Sequence, residues 1–187
     1  MEIDDDAPAP SPQDTESPVE VFTRAISRLT NGRRAQLRRA YLTNSLEADG
    51  IVIGLLHQAA VNVRPDAEAQ RPWKLIAHCA ALLAGTGNVG APAHVRGKSL
   101  GRALQAANVS EHRMLRLTSA RGRVQESLIV QAMRRIEREG KGPIDMRVLF
   151  HLIRYADDGR GRDARLRIAQ DYYAAQARSQ KDNSNDD

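Results

Sequence analysis

Ser99-Leu100-Gly101-Arg102-Ala103-Leu104 reads as the head of a helix. Ser99 suits an N-cap, and Leu100, Ala103, Leu104 and Ala107 fall on one helical face. From Arg96 to Arg138 the chain carries ten Arg or Lys against three Glu. No His, Cys or carboxylate set beside them has catalytic spacing. A dense arginine stretch without catalytic residues points to a protein that holds a polyanion rather than one that cuts or modifies it.

Working outward, the same 3.6-residue pattern recurs. Downstream, Ser110 suits the cap of a helix with Met114, Leu115 and Leu117. A longer helix spans about Val124 to Glu139, with Leu128, Ala132, Met133 and Ile136 inward, and Gly140 and Gly142-Pro143 break it. Asp145 caps a helix bearing Val148, Leu149, Leu152 and Ile153. The last helix, near Arg162 to Arg178, presents Leu166, Ala169, Tyr172 and Tyr173. Upstream, Ser17-Pro18-Val19-Glu20 has the form of a capping box with Pro at the first helical position. Phe22, Ala25, Ile26 and Leu29 follow it, and Asn31-Gly32 reads as that helix's end. A second helix carries Arg33, Arg34, Leu37, Arg38, Arg39 and Tyr41. A third covers roughly Ile51 to Val63 and stops at Pro65. Pro72 reads as the opening of a fourth, closed by Gly85. No segment alternates with period two.

The expected fold is therefore all-α, as two small helical bundles joined by a Gly/Pro-rich loop. The boundaries are an acidic disordered tail over 1–16, an N-terminal bundle over 17–84, a linker over 85–98, a basic C-terminal bundle over 99–178 and a disordered tail over 179–187. The formal net charge of +5 conceals a division. Residues 1–20 hold seven acids and no base, whereas residues 21–178 hold 27 bases and 13 acids. Of the 28 bases 24 are Arg, which forks two hydrogen bonds onto phosphate, although a GC-rich coding sequence yields Arg and Ala together. The single cysteine, Cys79, excludes an intramolecular disulfide and suits a cytoplasmic chain. The acidic Met-Glu-Ile-Asp-Asp-Asp start does not fit a signal peptide, and no apolar run reaches the ~18 residues of a membrane span.

Two motifs compete with the polyanion reading. Gly85-Thr86-Gly87-Asn88-Val89-Gly90 matches a dinucleotide fingerprint, but a helix precedes it where the chemistry needs a strand. A flexible loop is the better account, and no cofactor is expected. His57, His78, His94, His112 and His151 are scattered, and Cys79 has no second thiol, so no metal site is expected. Leu100 to Leu115 has the outline of a helix-turn-helix, with the turn at Asn108-Val109. In a transcriptional regulator His112, Arg113 and Arg116 would then face a duplex. That regulator is the alternative function.

Asn31-Gly32 with Ala35-Gln36-Leu37-Arg38-Arg39, then Lys98-Ser99-Leu100-Gly101-Arg102-Ala103-Leu104, then Glu111-His112-Arg113-Met114 occur in one order. With these blocks the chain resembles the CasB family, the small subunit of the type I-E CRISPR surveillance complex Cascade, from about Pro18 to Tyr173. The resemblance implies a non-catalytic subunit. Its partners would be other Cascade subunits, crRNA, target DNA with its displaced non-target strand, and further copies of itself head-to-tail. By matching position it implies nucleic-acid contacts at Arg38, Arg39, Arg102 and Arg113. Charge density alone adds Arg116, Arg121, Arg123, Arg134 and Arg135, some of which are expected to pair with Glu111, Glu126 or Glu137. With only seven aromatic residues, phosphate neutralisation is expected to outweigh base stacking.

Overall fold

A computed structural model of the chain describes residues 16–40, 45–64, 66–85 and 91–184. Tyr41, Pro65 and most of the Gly85–Gly90 motif lie outside them, as do residues 1–15 of the expected acidic tail. Among the described residues the fold is all-α. The helices are α1 (Pro18–Ser27), α2 (Asn31–Ala40), α3 (Leu46–Gln58), α4 (Ala67–Leu83), α5 (Leu100–Ala106), α6 (Glu111–Ser119), α7 (Gly122–Arg138), α8 (Met146–Arg154) and α9 (Gly159–Ser184).

Several ends differ from the sequence pattern, each because a local cap overrides it. Thr30 caps α2, its carbonyl and hydroxyl accepting from the Arg34 and Arg33 amides, so Asn31-Gly32 opens α2. Helix α3 begins behind Ser45 and ends before Pro65, because Ala60 turns left-handed (φ 52°) and the Val61 amide closes on the Leu56 carbonyl. Helix α4 starts at Ala67 because the Asp66 carboxylate accepts from the Ala69 amide at 2.7 Å. Pro72 is therefore inside α4. Helix α9 continues to Ser184, through much of the expected 179–187 tail, and Gln105 of α5 donates to the Ser179 hydroxyl.

Helix α4 lies at the centre. Leu75 through Leu82 are all buried, so no face of this stretch meets solvent. Helices α1, α2, α3, α7 and α8 all pack on it. One continuous apolar cluster takes in residues from both halves of the chain. Two polar groups sit inside this packing. Arg34 is fully buried and donates to the Ala84 carbonyl at 2.9 Å and to Asn31 at 2.5 Å, which satisfies the C-terminus of α4. His78 faces the Leu37 carbonyl at 3.4 Å. Burial, with smaller pushes from Arg134 and Arg38, lowers its pKa to about 4.

Residues 91–98 are held on both sides. The Ser27 hydroxyl accepts from the Ala93 amide, and the Ile144 carbonyl accepts from the Val95 amide. Glu20, buried in the first turn of α1, accepts from Arg96 Nε and its terminal nitrogen at 2.9 and 3.0 Å. The Met146 amide donates to His94 Nδ1, so Nε2 carries the ring proton and donates to Glu20 at 3.3 Å. Arg147 bridges Glu20 to the buried Asp145, whose second partner is the Gly97 amide. Against the upward push of burial, Arg96, the Ser17 amide and Arg147 hold the Glu20 carboxyl well below the usual carboxylate range. Arg147 and the Gly97 amide hold Asp145 down in the same way.

Helix α5 lies directly on α9. A Cβ on Gly101 would stand 2.2 Å from the Ile168 carbonyl oxygen and 2.7 Å from the Tyr172 nitrogen. Ser99, having capped α5 through the Arg102 amide, donates to Asp171 at 2.6 Å. Tyr172 donates to the Val109 carbonyl at 2.7 Å.

Two outcomes follow from this packing. Gly101→Ala forces α5 and α9 apart and lowers stability by about 1–3 kcal/mol or more in urea titration. Its neighbour Arg102→Ala, on the exposed face, stays within about 0.5 kcal/mol of the wild type. Acid acts in two steps. The unfolded chain protonates His78 at its ordinary 6.5 and the folded chain only near 4, so stability declines as pH falls through that window. The loss is at most about 3.5 kcal/mol, at about 1.4 kcal/mol per pH unit. His78→Gln flattens that limb of a melting-temperature profile, while the Glu20 and Asp145 contributions vanish only at lower pH.

Candidate nucleic-acid interface

Helices α6 and α7 pack together and set their arginines around one concavity. Arg113 and Arg116 are one turn apart on α6, and Arg135 reaches the same place from α7. Leu117, Leu128 and Ala132 form its apolar base, and Gln131 adds an amide. No carboxylate lines it. Arg113 and Arg116 are exposed and make no ion pair with a described residue. Two of the three acids expected to pair with the arginines have other partners. Glu111 accepts from the Tyr173 hydroxyl at 2.7 Å, and Glu126 takes a two-point bond from Arg71 of α4. Two forked donors on an acid-free floor form a surface suited to phosphate oxygens.

The other sequence-predicted residues divide into distinct environments. Arg135 is half-buried, and its Nε–H goes to the Ala107 carbonyl at 2.6 Å, closing the C-terminus of α5. Arg121 caps the end of α6, donating to the Ser119 and Ala120 carbonyls at 2.9 and 2.8 Å and approaching Asp157 at 3.4 Å. Both have structural work that charge density cannot reveal. Arg123 lines a separate hollow whose carboxylates, Asp49, Glu68 and Glu126, are paired with Lys74 and Arg71. Arg38 of α2 and Arg134 of α7 both lower the pKa of His78 and so lie near it. Arg39 is exposed at the end of α2, and Arg102 is exposed on α5. The structure thus brings Arg113, Arg116 and Arg135 to one place and leaves Arg39, Arg102, Arg121 and Arg123 in others.

The sequence reading gave no role to Arg34, Arg96 and Arg147, which are held by carbonyls or carboxylates within the fold. Their one local signal is the Asp145-x-Arg147 spacing, in which an N-cap acid can meet the guanidinium of its own first turn.

The helix-turn-helix outline has a different packing from the one a regulator needs. The turn is present, with Asn108 left-handed (φ 54°) and the Val109 amide on the Leu104 carbonyl. Helix α5, however, packs chiefly on α9, and α6 chiefly on α7 and α9, rather than on each other. Among the described residues no group of three His, Cys, Asp or Glu is placed to hold a metal ion, and no helix is long and apolar enough to cross a membrane.

Comparison with known proteins supplies one match. Residues 33–173 match the family model of CRISPR-associated protein Cse2. No curated protein and no solved structure matches the chain.

The division of the arginines is measurable. Arg135→Ala removes a charged donor from the carbonyl of the buried Ala107 and lowers stability by about 1–2 kcal/mol. Arg113→Ala and Arg116→Ala leave stability within about 0.5 kcal/mol. Equal melting temperatures for all three variants would return Arg135 to the surface set.

Proposed function

The chain belongs to the family of CRISPR-associated protein Cse2, the CasB small subunit of type I-E Cascade, and from that membership we propose that it holds nucleic acid inside the complex without catalysing a reaction. In this reading base pairing between crRNA and target supplies the sequence specificity, and the subunit steadies target DNA and the displaced non-target strand through their backbones. The observation that carries it is the α6/α7 concavity, where Arg113 and Arg116 stand uncompensated by any acid. Arg38, Arg39, Arg102 and Arg134 extend the phosphate-binding set. Arg121, Arg123 and Arg135 contribute to the field around it more than to direct contact.

The same reading gives the exposed apolar side chains a purpose. Leu46 and Ile53 project from α3, and Leu166 and Tyr173 from α9. Each pair is seven residues apart, hence on one helical face. Unlike patches on different helices suit a head-to-tail contact between copies, or contact with larger Cascade subunits. A helix-turn-helix regulator has less support, since its two helices do not pack chiefly on each other.

The test is binding of the purified protein to single- and double-stranded DNA across a salt series. Log affinity falls with log salt by roughly 0.7–0.9 per phosphate contact, without sequence preference. The double variant Arg113→Ala/Arg116→Ala lowers the slope by about two contacts. A salt-insensitive affinity, or a symmetric dimer with one preferred duplex site, would instead support the regulator. In a reconstituted complex, leaving this subunit out keeps guide RNA bound but exposes the non-target strand to chemical probes. Equal protection with and without it reduces the role to scaffolding.

A further inference from the structure

A large hollow among the described residues lies away from the α6/α7 face. It is a cleft of about 1000 Å³ between the start of α1, residues 60–64, Asp66, the start of α4 and the outer part of α8. Its lining concentrates what is scarce elsewhere. The chain has seven aromatic residues, and Trp73, Phe150 and Tyr155 all meet here with His151. Trp73 and Phe150 are tilted against each other with centroids 4.7 Å apart. Tyr155 stands edge-on to Phe150 at 6.1 Å and to His151 at 5.7 Å. Trp73 and Phe150 are 6% and 8% exposed and form the floor, while His151 and Tyr155 are half-buried at its edge.

The rim is cationic. Arg64 and Arg154 line the cleft and make no ion pair with a described residue, although Arg154 lies 5.8 Å from the Tyr155 ring centroid. Arg147 also lines it but is engaged by Asp145 and Glu20. The one carboxylate on the wall, Asp66, is occupied as the cap of α4. Burial, then the nearby Arg160 and Arg147, lowers the His151 pKa, so its ring adds an uncharged flat surface at neutral pH.

A ligand matching this lining has a flat ring and a negative charge a few ångströms from it. A nucleotide has both, and a site of ~300–1,000 Å³ is the usual size for a small molecule. An acidic peptide would match the rim but leave the aromatic floor unexplained. We infer that the cleft takes one unstacked nucleotide of a single strand, its base over the Trp73–Phe150 floor beside the half-buried His151, since Arg160 already lies 3.3 Å over the Tyr155 ring, and its phosphate on Arg64 and Arg154. This rests on the reading of the protein as a holder of single-stranded nucleic acid. It adds base stacking in a chain whose composition argued that phosphate contacts outweigh stacking.

Trp73 is the only tryptophan, so its emission reports on the cleft directly. The full chain is titrated with a labelled oligothymidylate and with an abasic strand of equal length, following fluorescence polarisation and Trp73 emission together. The oligothymidylate quenches Trp73 with the same midpoint as its polarisation change. The abasic strand binds roughly five-fold or more weakly and leaves the emission unchanged. Arg64→Ala and Arg154→Ala each weaken the quenching and lower its salt slope by about 0.7, with unchanged melting temperature. Binding by polarisation with no change in Trp73 emission, or equal quenching by the abasic strand, overturns the nucleotide site while leaving the functional reading intact. Preferential quenching by an oligo-aspartate peptide overturns it in favour of a protein partner. Failure of every strand to bind at low salt removes the functional reading itself, and this inference with it.

Discussion

Burial of the Leu75–Leu82 stretch of α4 on every side is the constraint on which the rest of the fold depends. A helix surrounded by five others needs small side chains where they approach, and Ala77, Cys79, Ala80 and Ala81 supply them. It also leaves no water for its polar groups. The last carbonyls of α4 therefore need a donor from the protein, and Arg34 is long enough to provide one from α2. His78, inside the same packing, is held neutral by the cost of burying an imidazolium. One arginine is thus internalised for the same physical reason that one histidine is kept uncharged.

A second constraint organises the C-terminal half. Helix α9 receives α5, α6 and α8, and at Gly101 it approaches α5 so closely that a methyl group has no room. The Ser-Leu-Gly-Arg-Ala-Leu block is therefore chiefly a packing device. Ser99 caps and clamps, Gly101 permits contact, and Leu100, Ala103 and Leu104 are buried. Of its six residues Arg102 alone projects to solvent without a structural duty. A specific sequence signature here records a close helix–helix approach more than a binding site.

Helix existence and type were legible in the sequence because they depend on side chains three and four residues apart. The ends of α3 and α4 were not, since the strongest local signals, Pro65 and Pro72, masked a left-handed Ala60 and an Asp66 cap. The candidate site was half legible. The family resemblance pointed to Arg113, and charge density pointed to Arg116 and to α6 and α7; both side chains are exposed. Charge density could not separate them from Arg121 and Arg135, because the carbonyls those two satisfy belong to helix ends fixed only by the tertiary fold. The Glu20–His94–Arg96–Arg147–Asp145 network was invisible for a related reason. Its members are separated by up to 127 positions in sequence and meet only when the halves dock.

The acids explain how a chain this basic can fold and still present positive charge. Buried carboxylates are costly unless several donors surround them, and Glu20 and Asp145 each collect such a set. In doing so they neutralise Arg96 and Arg147, which lie at the junction of the two halves, where repulsion between like charges would oppose docking. Glu126 does the same for Arg71 between α4 and α7. Arg113 and Arg116 of α6, which pair with no described carboxylate, are the groups the proposed function offers to phosphate.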